Sequence, residues 1–210
     1  IQGVCELLPV SSSAHVIMAE KFMGLDPTAP DMTLLLVMFH TGTMLAVIVY
    51  FWGKWRERYF SSTSALLSFA KPLAVATVIT GVIGFALMLL IERVVLRGSA
   101  HTEIEQLFGN VYIVAGGLAA VGMMIILSAR REPGSNGHPR VGINDAAWIG
   151  AVQGLCLPFR GFSRSGSTIS TGLFLGLAKE HAEDFSFALA VVLTPAVIAK
   201  EGYRLLHAQG

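Results

Sequence analysis

The sequence predicts an all-α, polytopic integral membrane protein carrying two re-entrant helical hairpins in an inverted-topology repeat. Three observations lead there: an apolar composition, three long stretches without charge, and two short Ser-rich breaks preceded by the same motif. Mean hydropathy is +0.63, with 53% hydrophobic and only 14% charged residues, outside the balance of a soluble chain. The net charge of +1 supplies no basic face, so no nucleic-acid partner is expected.

The elements follow in order. Ile1 to Leu8 is apolar, Pro9 and three serines interrupt it, and a second apolar run extends from His15 to Met23. This is the first predicted re-entrant hairpin, residues 1–30. Thr33 to Trp52, Pro72 to Ile91 and Asn110 to Leu127 lack Asp, Glu, Lys and Arg. At ~1.5 Å rise per residue each is long enough to cross ~30 Å of hydrocarbon. Trp52 and Trp55 close the first span at headgroup level, and the absence of alternation excludes a lipid-facing barrel. Ala146 to Phe159 and Ser165 to Ala178 each offer about 14 uncharged residues, half-spanning length, around a Pro, Arg and Gly cluster. They form the second predicted hairpin, residues 146–182. Phe185 to Ala199 contains Pro195 and reads as a fourth, kinked span. The chain is expected to be one membrane domain, 1–210, and a fragment, because it starts at Ile1 inside an apolar segment and stops just after another.

Charge distribution orients these elements. Lys54, Arg56, Arg58 and Lys71 against Glu57 follow the first span, and Arg130, Arg131 and Arg140 against Glu132 and Asp145 follow the third. Between spans two and three, Glu92, Glu103 and Glu105 outnumber Arg93 and Arg97. The first and third loops are therefore predicted cytoplasmic and the second external. Gln2-Gly3-Val4-Cys5 precedes the first Ser-rich break, and Gln153-Gly154-Leu155-Cys156 precedes the second. With the charge bias, the two hairpins enter from opposite faces, the arrangement in which broken helices meet around a polar site. The two cysteines lie in apolar runs, so no disulfide framework is expected.

Irregular backbone at membrane depth is tolerated only where it lines a cavity or is buried in protein. The residues at the breaks indicate what such a cavity holds. Ser163-Arg164-Ser165-Gly166-Ser167-Thr168 combines a guanidinium, four hydroxyls and a Gly-loosened backbone at a helix entry, a phosphate-binding combination. A capping Ser cluster with a snorkelling Arg is the bland alternative. Ser11, Ser12 and Ser13 begin a helix with His15 in its first turn, so hydroxyls and an imidazole share one region. Glu6 is a carboxylate in an apolar run, expensive and therefore a functional candidate, and Gln2 lies on the same helical face. The pair could hold a divalent cation, Mg²⁺ or Ca²⁺, or position a water; Glu6 as a purely structural partner of Arg164 is the alternative. His40 sits mid-span, as a cavity residue or a satisfied interior histidine. No Walker loop, dinucleotide Gly pattern or His-Glu-x-x-His occurs.

Gln2-x-x-x-Glu6, Pro9-Val-Ser-Ser-Ser-Ala-His15 and Gly161-Phe-Ser-Arg-Ser-Gly-Ser-Thr168 resemble the bacterial undecaprenyl-diphosphate phosphatase family, also called bacitracin-resistance proteins. Phe39-His-Thr-Gly-Thr and Glu183-Asp-Phe-Ser-Phe187 extend the resemblance over nearly the whole chain. It implies a multi-pass enzyme of the bacterial inner membrane that removes the terminal phosphate of a polyprenyl diphosphate. That reaction recycles the lipid carrier for peptidoglycan synthesis and confers bacitracin resistance. By position, Glu6 and Gln2 resemble the acidic motif linked to metal and catalysis, Ser12 the nucleophile or a phosphate ligand, and His15 the acid/base. Arg164 with Ser163, Ser165, Gly166 and Thr168 resembles the phosphate clamp, and Ser11 and Ser13 flank the phosphate. The chain departs from the family at Phe159 and Arg160, which stand between Pro158 and Gly161. Polyprenyl diphosphate and membrane lipid are the expected partners, with a homodimer as the assembly to test. A transporter or lipid flippase is the rival class, since an inverted repeat does not decide function.

Overall fold

The computed structural model describes residues 2–7, 10–27, 29–91, 93, 110–131, 137–159 and 161–208. Pro9, Arg160, Glu132 and the charged residues from Arg97 to Glu105 lie outside them, as does Glu92. Among the described residues every regular element is a helix: α1 Gln2–Leu7, α2 Ser12–Phe22, α3 Pro30–Tyr59, α4 Thr63–Leu90, α5 Val111–Ala129, α6 Ile143–Cys156, α7 Arg164–Phe174 and α8 Lys179–Ala208.

Local chemistry sets the helix starts. Pro30 begins α3, where its missing N–H costs nothing. Ser62 accepts the Ala65 N–H at the start of α4, and Asn110 accepts the Tyr112 N–H at the start of α5. Asp145 reaches back 2.8 Å to the Gly142 N–H ahead of α6, which favours a negative charge at that end. Among the described residues three helices are long and apolar enough to cross a membrane: Leu34–Tyr59, Thr63–Leu90 and Val111–Ala129. Each covers its charge-free stretch to within one residue at the ends. α8 differs from the expected short span. It starts at Lys179 and runs 30 residues with Pro195 inside it.

The Ser-rich breaks fall between short helices. α1 has 6 residues and α2 has 11; α6 has 14 and α7 has 11. α6 packs on α4 through small residues: a methyl group on Gly150 would sit 2.5 Å from the Ala76 carbonyl oxygen, and the Thr80 hydroxyl donates to the Gly150 carbonyl at 3.0 Å. Close backbone approach of this kind stabilises helix pairs where water does not drive association. α7 is tied to three neighbours by hydroxyls: Ser128 to Ser170 at 3.1 Å, Thr168 and Ser186 at 2.6 Å, and Ser167 beside the Cys156 thiol at 2.9 Å. The turn from α7 to α8 passes Gly176 at φ +89°, where a side chain would be strained. His138 clasps that turn, its N–H on the Gly176 carbonyl and its carbonyl accepting the Ala178 N–H. α3 meets α8 through Val47, Phe51, Trp55, Phe187 and Ala188.

Candidate active site

α1 places Gln2 and Glu6 one turn apart on one face, and the Gln2 amide donates to Glu6 Oε2 at 2.9 Å. The chain then turns through Ser11, which adopts a left-handed backbone at φ 59°. That conformation costs a non-glycine residue of order 1 kcal/mol or more and is met most often at functional turns. The turn delivers Ser12 at the start of α2, and its hydroxyl donates to the same Glu6 Oε2. On the far side, Ser163 caps α7 by accepting the Gly166 N–H at 3.2 Å. Arg164, the first residue of α7, donates to Glu6 Oε1 at 2.8 Å. The two Ser-rich breaks therefore meet on one carboxylate, Glu6, which lies 158 positions from Arg164.

This cluster forms one wall of a cavity of about 290 Å³. Glu6, Ser11, Ser12, Ser13, His40, Ser163, Arg164 and Ser165 face it, while Leu36, Val37, Leu157, Phe159, Phe162 and Leu193 line the rest. A lining that combines charged and hydroxyl groups with apolar side chains suits a ligand with a charged head and a hydrocarbon tail.

Several expected site residues stand elsewhere. His15 is exposed, and its Nδ1 lies 2.9 Å from the Ser11 carbonyl in its own turn. Gly166 borders a second cavity of about 330 Å³, between α3, α5, α7 and α8. The Thr168 side chain is 1% exposed, and its hydroxyl anchors α7 to α8 instead of facing the first cavity. Gln2 is buried behind Glu6, with Oε1 lacking a hydrogen-bond partner among the described residues. Phe159 lines the cavity; Arg160 lies outside the described residues. Among the described residues no group of three or more His, Cys, Asp or Glu could hold a metal.

His40 is the residue the sequence left least decided. The structure brings its Nε2 to 3.8 Å from Glu6 Oε2. The available signal was its cost, a ring with two nitrogens in the middle of an apolar span.

Fold and site together define a class: a helical membrane protein with a charged, hydroxyl-rich cavity among its helices. The family described as Bacitracin resistance protein BacA matches residues 1–210, and the chain belongs to it. The chain is 61% identical over 209 residues to Undecaprenyl-diphosphatase 2 of Acinetobacter baylyi, covering all of this chain and 73% of that protein. It is 34% identical to an undecaprenyl-diphosphatase of Anaeromyxobacter sp. (strain Fw109-5), covering 98% of this chain and 64% of that one, so it spans less than two thirds of that relative. With an undecaprenyl-diphosphatase of Thermus thermophilus it shares 35% identity over 98% of this chain and 71% of the other.

Proposed function

We propose that this chain hydrolyses undecaprenyl or a related polyprenyl diphosphate to the monophosphate and inorganic phosphate, recycling the carrier lipid for peptidoglycan synthesis. Such recycling would confer bacitracin resistance. The observation that carries the reading is the Glu6–Arg164 pair with Ser12, lining a cavity that also has apolar side chains, in a chain of the family whose relatives bear the diphosphatase name. The family does not favour the transporter or flippase reading.

In this reading the diphosphate sits against Arg164, Ser163 and Ser165, with Ser11, Ser12 and Ser13 opposite, and the prenyl tail runs along Leu36, Val37 and Phe162. Phosphoryl transfer needs positioning and charge neutralisation more than covalent chemistry, and a guanidinium with surrounding hydroxyls in a low-dielectric cavity supplies both. Attack on the terminal phosphorus comes from the Glu6 side, by Ser12 or by a water bonded to Glu6. His15 takes no part in the proposed step, because its side chain is exposed and, unlike His40, does not line the cavity. Thr168 acts by holding α7 in place.

A divalent cation, Mg²⁺ or Ca²⁺, is part of the proposal. Glu6 and Gln2 Oε1 would be its protein ligands, with the diphosphate and water completing the shell, as is usual for Mg²⁺. The unpartnered, buried Gln2 oxygen supports this. When bound, the cation would neutralise charge on the diphosphate.

The short pairs α1/α2 and α6/α7, each broken at a Ser-rich turn after a Gln-Gly-x-Cys motif, support two re-entrant hairpins, residues 1–30 and 146–182, in an inverted repeat within one membrane domain. A multi-pass protein of the bacterial inner membrane follows, in contact with lipid and with a homodimer as its assembly. The purified protein should release phosphate from a polyprenyl diphosphate in detergent. Glu6→Ala should lower that release by about 10²-fold or more, and chelation should lower it in the wild type. Wild-type protein that releases no phosphate would sink the reading.

A further inference from the structure

The phosphatase reading leaves one polar group of the cavity without a task, and its surroundings give it one. The Nδ1 of His40 lies 2.8 Å from the Leu36 carbonyl oxygen, one turn back along α3. A carbonyl oxygen only accepts, so Nδ1 carries a proton, and in the neutral tautomer that this bond selects Nε2 is an acceptor. That Nε2 stands 3.8 Å from Glu6 Oε2. Two acceptors cannot bond each other, and the separation exceeds a hydrogen bond in any case. A water molecule set against both, however, can donate one proton to each.

There is room for one. A small chamber of about 20 Å³ adjoins the main cavity, lined by the polar side chains of Glu6, His40, Thr43, Arg164 and Thr194 and by apolar ones including Val47, Phe187 and Val191. A chamber of roughly 10–15 Å³ or more with two to four polar partners is what a single ordered water requires. Glu6 and Arg164 belong to both spaces, so a water in the chamber borders the place assigned to the diphosphate.

We propose that this chamber holds the attacking water and that His40 is a positioning residue for it. The inference rests on the phosphatase reading and deepens it by choosing water over Ser12. One water proton is bonded to His40 Nε2 and the other to Glu6 Oε2, which leaves the oxygen lone pairs for the phosphorus. As the water oxygen bonds to the terminal phosphorus, the bridging P–O bond breaks and its electron pair stays with the lipid monophosphate. The water proton facing Glu6 passes to an oxygen of the departing terminal phosphate and leaves with it as inorganic phosphate. Oriented attack of this kind is where a small displacement costs most in rate.

The test is steady-state kinetics of the purified protein on a polyprenyl diphosphate in detergent, with acid quenching to trap any phosphoenzyme. His40→Ala is expected to lower kcat by about 10²-fold with KM within about twofold. His40→Gln, whose amide oxygen can accept in place of Nε2, should recover at least about tenfold of that loss. No phosphoserine should form at Ser12. Wild-type turnover that His40→Ala leaves intact, His40→Gln as impaired as His40→Ala, or a phosphoenzyme on Ser12 would each overturn the inference while leaving the phosphatase reading standing. Absence of wild-type turnover would overturn both. Should His40→Ala not fold, His40→Leu, which fills the space without an acceptor, takes its place: kcat lowered by about 10²-fold is expected, and near wild-type kcat would overturn the inference.

Discussion

Among the described residues two arginines, Arg164 and Arg58, tie distant parts of this chain together through carboxylates, and they are built for different ends. Arg164 meets Glu6 across 158 positions and Arg58 meets Asp184 across 126. In both the carboxylate is the more buried partner: 11% exposed at Glu6 and 1% at Asp184. Around Glu6 stand hydroxyls, an imidazole and open space. Arg58 and Asp184 instead join α3 to α8, whose contact is filled by packed rings: Phe51 stacks on Trp55 and packs on Phe187, and Tyr59 stacks on Phe69. Charge inside an apolar protein therefore does not mark a site by itself. What distinguishes the site is a cavity with donors that a second anion could use; the other pair latches α3 to α8.

The contrast is broken most directly at the arginines. Arg164→Ala should lower phosphate release by about 10³-fold, the upper range for removing a group that stabilises developing charge, with little change in melting temperature in detergent. Arg164→Lys should recover only part of it, because a point charge cannot make the forked contact of a guanidinium. A folded Arg164→Ala protein with normal turnover would contradict the assignment.

Arg58→Ala should behave in the opposite way. It leaves the Asp184 carboxylate buried without its cation, and breaking such a pair costs about 3 kcal/mol or more. The melting temperature should fall markedly while turnover per folded molecule stays close to wild type. Asp184→Asn together with Arg58→Ala should regain stability over Arg58→Ala alone, since no lone charge is then buried. Equal damage to turnover from Arg58 and Arg164 variants would erase the distinction between latch and site.

Ser163 belongs to both worlds, and a smaller effect is expected there. Its hydroxyl caps α7 and also faces the cavity. Ser163→Ala should cost about 1 kcal/mol of stability through the lost cap and raise KM modestly. Ser163→Asp restores a capping acceptor but sets a negative charge beside the phosphate place. It should recover stability and lose turnover, separating the two roles by calorimetry and phosphate release.

How far the sequence reveals all this depends on what kind of physics each feature obeys. The three spans are legible because charge is excluded from long runs, a one-dimensional property. Glu6, Ser12 and Arg164 are legible as candidates because polar groups in apolar runs carry a cost that demands a partner. The Arg58–Asp184 latch is not legible: Asp184 reads as ordinary compensation at a helix start, and only the packing of α3 on α8 reveals its cation. Side-chain direction is equally hidden. His15 and Ser12 are neighbours on α2, yet His15 folds onto Ser11 while Ser12 reaches Glu6. Thr168 fits a phosphate motif by spacing, but its rotamer delivers the hydroxyl to Ser186. His40 and Glu6 are brought together by how α1 lies on α3, which no local pattern encodes.

The smallest effect lies at the rim of the latch, where Glu180 receives Lys54 at 3.0 Å and Arg58 at 3.2 Å. The hydrogen bond from Lys54 and the nearby Arg58 charge hold the Glu180 carboxyl below its ordinary range. A carboxyl depressed on folding stabilises the protein above its unfolded pKa of about 4.3. That contribution disappears as pH falls through the lower folded value. Glu180 is half exposed, so solvent screening keeps the gain within the surface-pair range, about 0–1 kcal/mol. Glu180→Gln should therefore melt slightly below wild type at pH 7 and low salt, with the gap narrowing in high salt and closing below about pH 4. Turnover at pH 7 should not change. A gap that persists unchanged in acid would mean that Glu180 acts through packing, and the latch would then be held by Arg58 and Asp184 without it.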